Sequence, residues 1–208
     1  MTALPPVAEG IILAAGASLR AGAFKPALML GDKPLIRWCI EGMSESCQHI
    51  IVVGGYDIGK LRSLLPDTPA VECIENVHHS RGMFSSVKAA LSHVRGNLCF
   101  ILPVDIPLVP GSVYRAVMGV DAPVVVPTFR GNRGHPVCIR RSVISAIMRE
   151  PDSSSLRDII QRVGSSTIEV DAEEILLDVD TQEDYERMLQ KYRLSGNKYH
   201  EIRKGRVQ

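Results

Sequence analysis

Gly10-Ile-Ile-Leu-Ala-Ala-Gly-Ala-Ser-Leu-Arg-Ala-Gly-Ala-Phe-Lys25 is the stretch whose reading decides the fold. Its apolar run over residues 11–15 predicts a strand buried on both faces. The run breaks into a loop of small residues between Gly16 and Gly22, which carries Ser18 and Arg20 and leads to Lys25. Small residues let backbone N–H groups approach an anion, and a cation at each end offsets its charge. A triphosphate needs such a loop. A strand-to-helix turn with incidental glycines explains the loop equally well by itself, so the choice rests on partner motifs further along. The glycines are not spaced as G-x-x-x-x-G-K-[ST], and no G-x-G-x-x-G is present. A dinucleotide-dependent dehydrogenase would need that second turn.

Outward from this loop, strand-like and helix-like segments alternate. Helices are expected over residues 34–43, with Pro34 in the first turn, and 57–65, capped by Asp57 and stopped at Pro66. Further helices are expected over 82–94 and 113–120, and strands over 49–53, 71–75, 98–102 and 124–126. This alternation predicts an α/β protein with a mostly parallel sheet, helices on both faces, and ligands beyond the carboxyl ends of the strands. Residues 128–136 are rich in turn formers and read as a hairpin excursion or lid at the sheet's edge. Helices over 142–148 and 155–163 follow, then strand-like runs over 166–170 and 175–179. A final helix over 181–192 has Thr181 as N-cap with Asp184 three residues on. One domain over residues 8–194 is expected, followed by a polar, disordered tail over 195–208.

Composition narrows the class. The chain has 208 residues, 45% hydrophobic and 23% charged, the balance of a globular protein. A formal net charge of +1 leaves no cationic excess for a nucleic acid. The five cysteines contain no C-x-x-C pair and sit mostly in apolar context, as expected of reduced core thiols. The first nine residues lack the basic and apolar regions of a secretion signal, and no apolar run is long enough to span a membrane. A cytoplasmic location is expected.

Several polar residues interrupt this pattern at strand ends. Asp105 stands between Pro103 and Pro107 after a very apolar run, awkward for a core and suited to a Mg²⁺ ion. A lone loop carboxylate capping a turn is the plainer alternative. Asp178 and Asp180, two residues apart on a strand-like run, would point to one side and meet Asp105 there; capping of the last helix is the alternative for Asp180. The polar stretch from Asn76 through Ser85 and Ser86 opens a helix, whose N-terminus favours an anion. The adjacent pair His78-His79 diverges on any regular backbone, which argues against a metal. His135, in Gly134-His-Pro136, is held by a turn where a second substrate would lie.

Together these motifs resemble the molybdenum cofactor guanylyl- and cytidylyltransferase group of MobA-like nucleotidyltransferases. The resemblance runs from the 13–25 loop through Asn76…Arg81-Gly-Met-Phe-Ser-Ser86, Pro103-Val-Asp-Ile-Pro107 and Gly131-Asn-Arg-Gly-His-Pro136 to Asp178-Val-Asp-Thr181. The first loop is shared with many nucleotidyltransferases; the Gly-His-Pro element and the Asp-x-Asp-Thr ending place the cytidylyl branch nearest. The chain departs from the group's pattern at Ala21 and at Pro26-Ala27.

The resemblance implies a Rossmann-like three-layer fold and transfer of an NMP from an NTP to an acceptor phosphate, with pyrophosphate released. It implies catalytic roles for Lys25, Arg20 and Asp105. Nucleotide contacts follow at Leu13, Ala14, Ala15, Gly16 and Ser18, and again at Lys25, Asn76, Ser85, Ser86 and Asp105. Mg²⁺ would sit on Asp105 with Asp180 or Asp178, and the acceptor, a pterin cofactor phosphate, on Gly134, His135 and Pro136. Ala15, where the guanylyl enzymes carry Gly, favours CTP over GTP, because its methyl would crowd the loop floor against a purine. A molybdoenzyme or chaperone receiving the product is an expected partner. A sugar-phosphate or alcohol-phosphate nucleotidyltransferase shares the loop and Asp105 but gives no reason for Gly134-His-Pro136. A non-catalytic regulatory module gives no reason to keep both Lys25 and Asp105.

Overall fold

The central strand, β1 (Ala8–Leu13), is buried at all six positions. Its alternation sends Ile12 into one core and Ile11 and Leu13 into another, which requires a helical layer on each face. The structure is a computed structural model describing residues 8–16 and 24–194; the expectations for Ser18, Arg20 and the 195–208 tail lie outside these. Gly10 lets a helix cross β1 closely, since a Cβ there would stand 1.9 Å from the Met43 sulfur.

After β1 come the two-residue strands β2 (Met29–Leu30) and β3 (Lys33–Pro34), paired as a small hairpin. Helix α1 (Leu35–Ser44) follows, one residue later than expected, with Pro34 in extended conformation as its N-cap instead of in its first turn. Strand β4 (His49–Gly54) and helix α2 (Ile58–Leu64) come next, the helix capped by Asp57, whose side chain accepts from the Lys60 amide. Strand β5 (Val71–Glu75), helix α3 (Met83–Leu91) and strand β6 (Leu98–Pro103) complete this half. β1 pairs in parallel with both β4 and β6, and β4 with β5. The chain thus runs outward from β1 to β5 and returns on the other side of β1 with β6. Loops diverge at that β1/β6 boundary, where open α/β sheets bind ligands.

The second half contains α4 (Gly111–Met118), β7 (Val124–Phe129), β8 (Asn132–Arg133) and β9 (Val137–Arg140). Then come α5 (Arg141–Arg149), α6 (Leu156–Val163), β10 (Ser166–Glu169) and α7 (Gln182–Leu194). The sheet order is β10-β7-β9-β6-β1-β4-β5, with β8 on β7. Among these, β9 runs antiparallel to both β6 and β7, and every other long strand shares one direction. The excursion over 128–136 is therefore a hairpin, as expected, but not at the edge. Its return strand is inserted between β6 and β7, because Val137, Cys138 and Ile139 are apolar and all three bury.

Helices α1 and α4 cover the Ile12 face; α3, α5 and α6 cover the other. A third cluster around Trp38, Leu108, Val179 and Met188 holds α7 against the β2–β3 hairpin. α7 starts with a reciprocal capping box: the Thr181 amide donates to the Asp184 carboxylate, and the Asp184 amide to the Thr181 hydroxyl. No helix among the described residues is long and apolar enough to cross a membrane.

The strand expected over 175–179 does not form. Residues Glu173–Leu176 make a 3₁₀ turn, and the chain then runs irregularly to Asp180. Ile175 and Val179 bury completely, giving the run its strand-like look. Their backbone bonds go instead to two loops: the His135 amide donates to the Ile175 carbonyl at 3.0 Å, and the Val179 amide to the Asp105 carbonyl at 3.1 Å. One segment thereby ties the β8–β9 turn to the loop after β6.

Candidate active site

Lys25 begins a 3₁₀ turn, Lys25–Ala27, anchored by buried Pro26. Its ammonium lies 3.0 Å from Asp105 Oδ2 and 2.7 Å from Asp180 Oδ1, bringing together residues 80 and 155 positions apart. Asp105 is presented by its neighbours: Val104 and Ile106 sink into the α1-side core, and the carboxylate between them projects. At the same place the Val104 amide donates to the Leu13 carbonyl at 3.1 Å, closing the crevice between β1 and β6. The Lys25 side chain is only 12% exposed. Burial works against its charge, but hydrogen bonds and charges from Asp180 and Asp105 outweigh it and raise the pKa above 10.5. The lysine stays an ammonium.

Asp178 also faces this group. Although exposed to solvent, its carboxyl is held above the ordinary range, first by desolvation and then by repulsion from Asp180 and Asp105. Among the described residues no three His, Cys, Asp or Glu side chains stand close enough to hold a metal ion. The strand expected to point residues 178 and 180 to one side is absent, and of the two it is Asp180 that reaches the Lys25 ammonium beside Asp105. Asp105 and Asp180 already share one cation, the ammonium. Two carboxylates suit Mg²⁺, which takes one or two protein oxygens and fills its octahedron with phosphate and water.

The nucleotide contacts expected further along are rearranged. Asn76 is 4% exposed, and its amide donates to Ser85 Oγ at 2.8 Å and Ser86 Oγ at 3.0 Å. Its carbonyl accepts from the His78 amide, and Ser85 Oγ donates to the Gly82 carbonyl. These side chains are bonded to one another and brace the turn before α3. Ala15, 6% exposed, belongs to the α3-side core. Leu13 and Ala14 are likewise buried, while Gly16 is open.

Next to Asp105, on the α3 and α6 side, opens a cleft of about 950 Å³. Leu13, Phe84, Val87, Ile101, Val126 and Val137 line it with apolar surface. Gly134 and His135 form one wall. Gly134 is required there, since a Cβ would meet the Ile175 side chain and carbonyl at 2.6 Å. Pro136, after a cis bond, is buried behind them. Burial lowers the His135 pKa below 6.5, against opposing contributions from the Ile101 carbonyl and Asp105, so the ring is neutral at neutral pH. Its Nδ1 is buried without a hydrogen-bond partner among the described residues. Lys25, Asp105, Asp178 and Asp180 are not among the residues lining this cleft, and His135, which lines it, is close enough to Asp105 to feel its charge.

Arg81, Arg133, Arg157 and Asp152 also line the cleft and were not singled out from sequence. Arg81 stands inside a quoted motif and was legible there. Arg157 looks like any solvent-facing charge on an amphipathic helix.

A profile of the MobA-like NTP transferase domain matches residues 10–168. The chain is 26% identical over 183 residues to the molybdenum cofactor cytidylyltransferase of Escherichia coli (strain K12), covering 88% of this chain and 95% of the relative. Among solved structures, the Mycobacterium sp. strain JC1 homolog of Mycobacterium tuberculosis Rv0371c superposes with a TM-score of 0.78 at 27% identity, covering 90% of this chain and 98% of that one. Rv0371c in complex with manganese, from Mycobacterium tuberculosis H37Rv, shares the fold with a TM-score of 0.74 at 22% identity, covering 90% of this chain and all of the other. Strand β1, Lys25 and Asp105 thus fall within a match that spans most of the chain, and the protein belongs to the MobA-like NTP transferase domain family of nucleotidyltransferases.

Proposed function

We propose that the protein transfers CMP from CTP to the phosphate of a molybdopterin-type acceptor in the cytoplasm, releasing pyrophosphate. The observation that carries this reading is Lys25, whose ammonium is held by Asp105 and Asp180 in the β1/β6 crevice. An acceptor phosphate oxygen attacks the α-phosphorus, and the bond from that phosphorus to the pyrophosphate oxygen breaks. The chain supplies little covalent chemistry to this step; it positions the reactants in line and offsets charge. Lys25 neutralises the phosphates, and backbone amides after β1 hold them. Asp105 and Asp180 would hold a divalent cation, Mg²⁺, with Asp178 beside them. When bound, that cation supplies further charge neutralisation on the phosphate oxygens. The manganese complex of Rv0371c supports a divalent metal in this fold.

The base preference rests on the cytidylyltransferase relative. Gly134, His135 and Pro136 form the acceptor wall of the adjoining cleft. His135 is neutral there, so it meets the acceptor as a hydrogen-bonding group and not as a charge.

The test is pyrophosphate release from CTP, GTP, ATP and UTP with Mg²⁺ or Mn²⁺, with molybdopterin present or omitted. Release that depends on molybdopterin and is fastest with CTP is the expected result. GTP used as well as CTP would reject the base assignment. Turnover with a sugar phosphate and none with molybdopterin would reject the acceptor.

A further inference from the structure

The cleft beside His135 carries more cationic charge than the transfer step uses. Three arginines, Arg81, Arg133 and Arg157, line it, and Asp152 is the one carboxylate among its lining residues. Asp152 engages Arg81 at 3.0 Å and also Lys88, from α3, at 3.1 Å. Arg133 donates to the Ser165 hydroxyl at 2.6 Å, a neutral partner that leaves its charge uncompensated. Arg157 is exposed on the first turn of α6 and makes no hydrogen bond or ion pair among the described residues. Two guanidinium charges are therefore left over beside an apolar floor, on a cleft whose α6 side also carries Ser153, Ser154, Ser155 and Gln161. None of the three arginines bonds to Asp105, Asp178 or Asp180. The reacting phosphate of an acceptor must lie against that acidic, lysine-bearing side, so the charges of Arg133 and Arg157 are available for a different group.

The floor points to the rest of the molecule. Branched side chains and Phe84 give a floor on which a fused ring gains contact, whereas sugar hydroxyls laid on that floor would lose water. Guanidinium groups match carboxylate and other oxyanions with paired, planar hydrogen bonds. We propose that the cleft binds an acceptor through a flat heterocycle on this floor and through a second anionic group, distinct from the reacting phosphate, held by Arg157 with Arg133. Arg157 is then a residue that selects the acceptor. This inference rests on the reading of the cleft as the acceptor site.

The experiment uses two fluorescent probes with one ring system, 6-carboxypterin and uncharged 6-methylpterin, titrated against the full chain. The wild type should bind the carboxylate at least about tenfold more tightly, the scale of a charge-assisted hydrogen bond. Arg157→Ala should remove most of that preference, Arg157→Lys should restore part of it, and Arg133→Ala should have a smaller effect. Alanine at an exposed helical position does not threaten folding, and CTP affinity measured by calorimetry controls for wider damage. The proposal is overturned if the wild type does not prefer the carboxylate, if Arg157→Ala keeps the preference, or if that variant loses CTP affinity in equal measure. Failure of the transfer reading would look different: pterin binding would remain arginine-dependent, while molybdopterin would elicit no pyrophosphate release.

Discussion

The two sides of the β1/β6 crevice are ordered to different degrees. On the α1 and α7 side, Lys25 is partly buried and bonded to two carboxylates, and the backbone behind them is tied across three segments. On the α3 and α6 side, Arg81 is 56% exposed and shares its single partner with Lys88. The first side is preorganised for developing charge at one fixed place, where fixed donors act without reorganising. The second leaves charges unsatisfied, and that suits selection of a ligand.

The largest effect should come from the ordered side. Lys25→Ala or Asp105→Ala should lower kcat by roughly two to three orders of magnitude, the usual scale for one lost charge-stabilising contact. Neither side chain fills a core, so circular dichroism and the melting temperature should change little. Near-normal turnover of either variant with Mg²⁺ present would remove that residue from the mechanism.

Gly134→Ala attacks the joint between the two sides. The added methyl meets the Ile175 carbonyl, which is backbone and cannot turn away. Overpacking of this kind destabilises by about 1–3 kcal/mol. The variant should also raise the acceptor KM, because the His135 amide bonds to that same carbonyl. Unchanged denaturant midpoint and acceptor KM together would show that the two sides are not coupled there.

His135 separates the sides by pH. Its folded pKa is lowered, so above 6.5 the ring is neutral in both folded and unfolded chains and adds no pH dependence. Below 6.5 the unfolded chain takes the proton first, and stability falls as the pH falls. His135→Asn should flatten the loss of stability as the pH falls below about 6.5 in urea titrations. It should also raise acceptor KM with CTP affinity unchanged. An identical slope in the variant would assign the acid sensitivity elsewhere.

The smallest effect is expected at Asp152, an exposed ion pair. Its pKa is lowered by hydrogen bonds from Lys88 and Arg81, so its contribution is present at neutral pH and is lost only on acidification below the ordinary carboxylate value of 3.8. Exposed pairs add little stability, so Asp152→Asn should leave the melting temperature nearly unchanged. Freeing Arg81 should tighten 6-carboxypterin binding by a few-fold, less so at high salt. Weaker binding would mean that Asp152 shapes the cleft rather than competing for its cation.

Local sequence alone determined the alternation of strands and helices and the caps at Asp57 and Thr181, and it singled out Lys25, Asp105 and His135 as residues out of place. Each of these depends on propensity, period or a residue type out of place in its neighbourhood, all properties of a few adjacent positions. Only the tertiary structure decided what lies across from what. The 175–179 run has the apolar content of a strand, but its carbonyls and amides found loops as partners, and hydrogen-bond partners are not encoded in period. The serines after Asn76 read as ligand contacts, and the fold bonds them to that amide. Lys25 meets Asp180 across 155 positions, and Arg157 acquires a role from the cleft beside it. Such meetings depend on strand order, and strand order is set by burying both faces of β1 at once.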